Sequence, residues 1–345
     1  MKRLIVPLLS GMLGGCMLYF PQDTAQAAIE ACRLWALAVM PSLFPFLVCM
    51  LFVAGRITIG QKQGGGRLLG MPSGFGLLLC MGLMSGSPGG ARLTQEFSIK
   101  DEAGRAALKR FVLYSGTMSP MFFVGTLGGW LYNHQLGWIL LLAHWLGAFM
   151  TGQLSRLIFA VPKSPSPQTE TLKKPINVSQ VMQSAAFAML TVCGLMMLGS
   201  VAARMVGCAL PFLPEGALAA LQAFLEVTAG CSRIVGLTLP DAYPALRPAL
   251  LCTAASFGGM SILLQNLAFL QEAGIGLFFL VKGALCHALL SFGLYYLLHF
   301  GVPGASVPTS VQVPQTASEA SFIVISTWLL SLIIPYVTRS KKLFS

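Results

Sequence analysis

The sequence predicts an all-α polytopic membrane protein, with about eight transmembrane helices plus two re-entrant hairpins in two inverted-topology repeats. Three observations carry this. Of 345 residues, 55% are apolar and only 10% charged, against roughly 25% charged in a soluble domain. Several stretches without Asp, Glu, Lys or Arg exceed the roughly 20 residues a helix needs to cross the hydrocarbon core, the longest being residues 111–155. The 22 basic residues sit at the ends of apolar segments, as Arg56, Lys62, Arg67 and Arg339, Lys341, Lys342 do, and so read as topology signals facing an anionic leaflet. No aromatic-interleaved basic patch accompanies the net charge of +11, so nucleic acid is not an expected partner.

The first element is an apolar helix over 4–20, preceded by Lys2-Arg3. It resembles a signal peptide, with Ala25-Gln26-Ala27 as a possible cleavage site. Because the apolar run continues past Cys16 and many spans come after it, it is expected to be retained as an N-terminal transmembrane helix followed by a loop, residues 1–33. The next spans are 34–55, 111–132 and 136–155, the last two separated by a turn at Asn133-His134-Gln135. Between 68 and 91, basic clusters flank the apolar segment on both sides, and Ser85-Gly86-Ser87-Pro88-Gly89-Gly90 breaks the helical pattern. A hairpin that enters and leaves on the cytoplasmic side satisfies the positive-inside rule; a crossing does not. Residues 99–110 alternate charge and small apolar residues and read as a solvated amphipathic helix at the cytoplasmic face.

A Pro/Ser/Lys-rich linker over 161–177 divides the chain. The second unit, 178–300, then repeats the order of the first, 34–160: a span at 181–203, a hairpin at 206–233 interrupted by Pro211, Pro214 and Gly216, and spans at 249–271 and 274–300. A last loop, span (321–337) and basic tail complete residues 301–345. With both termini and the 56–67, 92–110 and 156–174 loops cytoplasmic, 17 of the 22 basic residues lie inside. The first unit begins outside and the second inside, making them inverted copies. Spacing agrees: Ser85 precedes Ser115 by 30 residues and Glu226 precedes Ala255 by 29.

Four small-residue segments fall at equivalent places: Ser85-Gly-Ser-Pro-Gly-Gly90, Ser115-Gly-Thr-Met-Ser-Pro120, Glu226-Val-Thr-Ala-Gly230 and Ala255-Ser-Phe-Gly-Gly-Met-Ser261. Each is expected to break a helix near the midplane, freeing backbone donors and aiming half-helix ends at one point, the physics of a secondary-transporter site for an anion. Close helix packing is the competing use of such residues. The candidate ligands from these segments are Ser85, Gly86, Ser87, Ser115, Thr117, Ser119, Glu226, Thr228, Ser256 and Ser261.

Ionisable groups inside a bilayer are costly, so Glu226, Arg233 and Lys282 also draw attention. Glu226 and Arg233, seven apart, either neutralise each other or leave Glu226 for proton or ion coupling. Arg92 either clamps an anion or flanks the membrane. Lys282 snorkels or pairs. Gln265 and Asn266 must hydrogen-bond to another helix or to substrate. His134, His144, His287 and His299 read as helix-to-helix hydrogen bonds rather than metal ligands. Nine scattered cysteines, with no C-x-x-C, give neither a disulfide framework nor a zinc site. No metalloprotease, nucleophile-elbow or Walker motif is present, so neither an enzyme nor an ATP-driven pump is expected, and no cofactor.

With these residues in view, the chain resembles the sporulation integral membrane protein YlbJ family, membrane proteins with a nucleoside-recognition Gate domain. The resemblance rests on Cys32-Arg-Leu-Trp-Ala-Leu-Ala-Val-Met-Pro-Ser-Leu-Phe-Pro-Phe46, Ser85-Gly-Ser-Pro-Gly-Gly-Ala-Arg-Leu-Thr94, Ser115-Gly-Thr-Met-Ser-Pro-Met-Phe122, Glu226-Val-Thr-Ala-Gly230 and Ser256-Phe-Gly-Gly-Met-Ser261. It implies a multi-pass protein of a spore-forming bacterium's cell membrane, or of the outer forespore membrane, moving dipicolinic acid. A nucleoside-type carrier and a non-transporting scaffold for spore assembly are the alternatives. Thr117-Met118 stands where the family has an Asn-rich core and Ser87 where it has an aromatic, which leaves the exact substrate open. Coupling ion and oligomeric state stay open as well.

Overall fold

The computed structural model describes residues 2–54, 69, 75–95, 102–155, 157, 177–240 and 243–301. The 321–337 span, nearly all of the 161–177 linker and the 56–67 loop lie outside the described residues. Within them the chain is helical, with no strand. Helix α1 is Lys2–Tyr19, α2 is Pro21–Leu34 and α3 is Met40–Ala54, with a π-helical turn, Trp35–Val39, joining the last two. The segment before residue 34, expected as a loop, is therefore helix; an ion pair between Asp23 and Arg204, 3.4 Å, holds it against a later helix. The π turn lies just ahead of Pro41 and Pro45, whose missing N–H groups disturb the regular ladder.

Helices α4, Phe75–Ser85, and α5, Gly89–Thr94, form the first helix pair, and α6 is Glu102–Ser115. Along an unbroken helix Gly82 and Gly90 would stand about 12 Å apart. A Cβ placed on Gly82 instead lies 3.6 Å from Gly90 Cα, so the chain doubles back between them. The charged run before residue 110 is not a solvated surface helix. From Glu102 it is part of α6, where Ala106, Ala107, Leu108 and Arg110 are buried and Arg110 Nε donates to Ser155 Oγ at 3.0 Å.

After a gap at 116–119 the chain resumes as α7, Met121–Trp130, whose first two turns are π-helical. The turn near 133 comes next: Asn133 caps α8, His134–Gln153, by accepting from Leu136 N–H at 3.0 Å. Helix α9, Val178–Ala209, opens with a capping box between Asn177 and Gln180. Its 32 residues reach about 48 Å, longer than the roughly 30 Å hydrocarbon core, so it tilts or projects.

Helices α10, Glu215–Leu225, and α11, Val227–Gly236, form the second pair. A Cβ on Gly230 would lie 2.1 Å from Ala223 Cα, so this chain also doubles back, at Glu226. The pair thus starts and ends later than the 206–233 expected, because α9 runs on to Ala209. Helices α12, Leu246–Phe257, and α13, Gly259–Leu270, are one apolar rod broken at Gly258, and α14 is Leu277–Gly301.

Among the described residues three segments are long and apolar enough to cross a membrane: Val178–Ala209, Leu246–Ala273 and Leu277–Phe300. Large apolar side chains such as Leu18, Phe187, Leu289 and Leu297 point outward, as a lipid-facing surface requires. The halves are not separate bodies. One core joins α3, α4 and α6 to α9, α13 and α14; a second joins α7 and α8 to α10, α11 and α12.

Candidate functional site

All four segments singled out in the sequence are helix breaks, and three of them meet at one buried place. The turn after α4 carries Gly86 at φ +69°, a conformation L side chains rarely adopt. It lies so close to the 116–119 gap that a Cβ there would be 2.4 Å from Ser119 N. Ser87 N–H donates to Thr117 C=O at 2.6 Å, fixing the turn on the gap. From the other half, Asn266 Nδ2 on α13 donates to Ser87 Oγ at 3.2 Å.

Between these elements lies a cavity of about 40 Å³. Its polar lining is Ser87, Thr117, Ser256, Asn266 and His287, with Gly116, Gly258 and Gly283 keeping the walls low. No Asp, Glu, Lys or Arg is among the lining residues. The first turn of α13 opens beside it, headed by Gly258 and Gly259 at φ +81° and +73° and without a side-chain cap, so its free N–H groups present a positive helix end. Two buried lining atoms, Thr117 Oγ1 and Asn266 Oδ1, have no partner among the described residues. Ser115 Oγ, just behind the wall, has none either. Buried polar atoms are normally paired, so this wall keeps hydrogen-bonding capacity that the described residues do not use.

A histidine pair backs the cavity. His144 Nε2 on α8 accepts from Met118 N–H at 3.0 Å, and Nδ1 lies 2.8 Å from Ser256 Oγ. A backbone N–H can only donate, so Nε2 is unprotonated and Nδ1–H is the donor to Ser256. His287 Nε2–H donates to His144 C=O at 2.9 Å, and the two rings lie 4.6 Å apart. Both make the interhelical bonds expected of them. Their convergence on the cavity was not legible, since His144 and Ser256 are 112 positions apart.

The remaining candidates lie elsewhere. Ser85 Oγ is satisfied within its own turn by Gly82 and Gly86 carbonyls. Arg92 does not reach the cavity: it is turned to Ser184 Oγ in the first turns of α9, with Nε at 3.0 Å and a second guanidinium contact. Ser119 is half-buried, and its carbonyl accepts from Phe122 N–H at 3.0 Å. Gln265 is buried in α13 beside Asn266 but does not line the cavity.

Glu226 forms a second cluster, beneath the α12–α13 break. In extended conformation between α10 and α11, it caps α11 with its own carboxylate, accepting from Ala229 N–H at 2.7 Å. The donors this helix end would offer an anion are thus partly taken by the chain itself. Ser261 is close: a Cβ on Gly199 would lie 2.9 Å from Ser261 Cβ and 3.2 Å from Glu226 Cγ. Ser261 Oγ is buried without a partner among the described residues. Thr228 is half-buried beside them, while Arg233 is exposed. The Glu226–Arg233 pairing is therefore not made: Glu226 is buried, whereas Arg233 lies on the exposed face of α11, opposite the buried Ile234 and Val235. Lys282 is exposed and sits over the Phe278 ring at 4.5 Å.

No family model matches the chain, and no solved structure matches it. Sporulation integral membrane protein YlbJ of Bacillus subtilis (strain 168) is 30% identical over 145 residues, which is 39% of this chain. The match spans only 35% of that relative's length. Apolar helices with lipid-type outer faces agree with the word membrane in its name. Over that stretch the chain is similar to the YlbJ protein, and its apolar helices are those of a helical integral membrane protein.

Proposed function

We propose that this protein is an alternating-access carrier for a small carboxylate, dipicolinic acid being the favoured cargo, rather than an enzyme or a scaffold. The observation that supports it is the convergence of two helix breaks and a hairpin turn on a cavity where two lining atoms, Thr117 Oγ1 and Asn266 Oδ1, lack a partner among the described residues. A packing interface would pair those atoms; a binding site keeps them for a guest. Ligand pockets for organic molecules measure about 300–1,000 Å³, so the roughly 40 Å³ seen holds a few waters and a carrier cycle must widen it.

The topology we propose has about eight spans and two re-entrant hairpins in two inverted repeats, with both termini cytoplasmic. A shared device supports it. In each half a hairpin turn docks onto the break of the following span through a left-handed glycine: Gly86 against Ser119, and Gly259 against Val227 N, 3.0 Å from a Cβ there. The bilayer is then the outer forespore membrane of a sporulating cell.

The uncharged lining favours a second reading, a nucleoside-type Gate carrier, because among the described residues no Lys or Arg lines the cavity to meet a dianion. The N-terminal turn of α13 supplies partial positive charge without one. Counterflow in liposomes carrying the full chain tests both. Saturable exchange of labelled dipicolinate, blocked by unlabelled dipicolinate and not by uridine, supports the first; the reverse competition supports the second. Absence of exchange with either would leave a scaffold.

A further inference from the structure

We propose that His144 is the proton-coupling hinge of this carrier: a proton taken up at Nε2 displaces the Met118 N–H and releases the 116–119 break from α8. The idea rests on the carrier reading for its purpose, and on geometry for its mechanism.

His144 is the side chain through which α8 grips both broken rods. Its acceptor nitrogen holds Met118 N–H at 3.0 Å, and its donor nitrogen holds Ser256 Oγ at 2.8 Å. A neutral imidazole has one acceptor and one donor, and here each is committed to a different break. The proton, arriving from water through the widened cavity, adds to the Nε2 lone pair. Nothing else moves: Nδ1–H stays on Ser256, but the ring now carries two N–H donors. Met118 N–H then faces another donor, and the bond becomes a repulsion. Met118 and Ser256 both line the cavity, so the site's width and the ring's charge are tied together. By linkage, whatever opens the gap raises the ring's proton affinity by the same factor.

The surroundings leave the ring this role. From α14, His287 faces it, its ring 4.6 Å away, with Nε2–H committed to the His144 carbonyl. On α14 Tyr295 is turned to His299. From α12, Cys252 lies one turn from Ser256, with its thiol toward the Leu140 and Ser291 carbonyls, while Arg247 donates to Leu237 C=O. Helix α7 has no titratable residue. On α6, Arg110 reaches Ser155 and Tyr114 packs at Gly152, two or more turns along α8. Among the described groups His287 is the one that opposes the charge His144 would gain, because its ring lies 4.6 Å away; no Asp, Glu, Lys or Arg lines the cavity to replace that charge.

Two measurements on the full chain in nanodiscs and liposomes test it. Deuterium exchange of peptides covering 112–122 is compared between wild type and His144→Gln at each pH. Glutamine keeps an acceptor for Met118 but does not take up a proton. Protection of 116–119 that falls in wild type relative to the variant, as pH drops from about 8 to about 4, through the imidazole range and below it, is the expected result. Identical profiles overturn the hinge, whatever transport does. In liposomes, a gradient of one pH unit should let wild type accumulate labelled dipicolinate (or uridine, whichever exchanges) up to about tenfold. His144→Gln should still exchange label but reach no accumulation; accumulation equal to wild type overturns the coupling. If neither cargo exchanges in wild type while the deuterium result holds, the carrier reading fails and the hinge stands. If the variant is misfolded, raised exchange along α8 shows it, and His144→Asn replaces it: Asn reaches the Ser256 position but offers Met118 no acceptor, so protection of 116–119 should be low at every pH, and wild-type-like protection that falls with pH in this variant overturns the hinge.

Discussion

Asn266 Nδ2 donates to Ser87 Oγ across 3.2 Å, joining positions 179 residues apart and the two halves of the chain. Asn266 Oδ1 already lacks a partner among the described residues. Ser87→Ala would strip the amide of its donor bond as well. The expected loss is about 1–3 kcal/mol, read as a lower Tm in detergent. An unchanged Tm would mean that the bond contributes nothing to joining the halves.

Thr117→Val has the opposite sign. The hydroxyl is buried and unpartnered, so an isosteric methyl removes an unsatisfied group and stability should hold or rise by about 1 kcal/mol. Transport should nevertheless fall at least about tenfold, the weight of one hydrogen bond to a guest of about 1.4 kcal/mol. Full activity in this variant would show that the atom serves no ligand.

Gly86→Ala should be among the most damaging small changes. Its Cβ would lie 2.4 Å from Ser119 N at a φ of +69°, and both the strain and the overlap must be relieved. We expect a loss above about 2 kcal/mol and poor yield of folded protein. Gly194→Ala, with nothing within 4 Å, is the control and should be neutral or slightly stabilising within a helix.

Glu226 separates capping from charge. Glu226→Gln keeps an acceptor for Ala229 N–H, whereas Glu226→Ala abolishes it at about 0.5–2 kcal/mol. The expected order of Tm is wild type near Gln, both above Ala. Equal damage from Gln and Ala would assign the residue's contribution to its negative charge instead of its cap.

Hairpin topology is checked by cysteine accessibility in intact cells. Single cysteines placed at 60–66 and 98–108 should label from the same, cytoplasmic side. Labelling from opposite sides would make 68–91 a crossing and invert the orientation of every later helix.

The sequence by itself determined the solvent and the breaks. Uncharged runs longer than a bilayer and only 10% charged residues leave helices in lipid as the way to satisfy the backbone. Gly and Pro at 86–90, 116–120 and 258–259 interrupt them because these residues lack either a Cβ or an N–H, while at 226 the extended Glu226 makes the break and caps the next helix. Both are local properties, written in adjacent residues. Tertiary structure decided which side chains face the cavity. Arg92 is drawn off by Ser184 on α9, and Arg233 is carried outward by the turn of α11 after Glu226. His144, unremarkable in sequence, meets Ser256 from 112 positions away. Such meetings depend on how helices from the two halves interlock, and no window along the chain contains both partners.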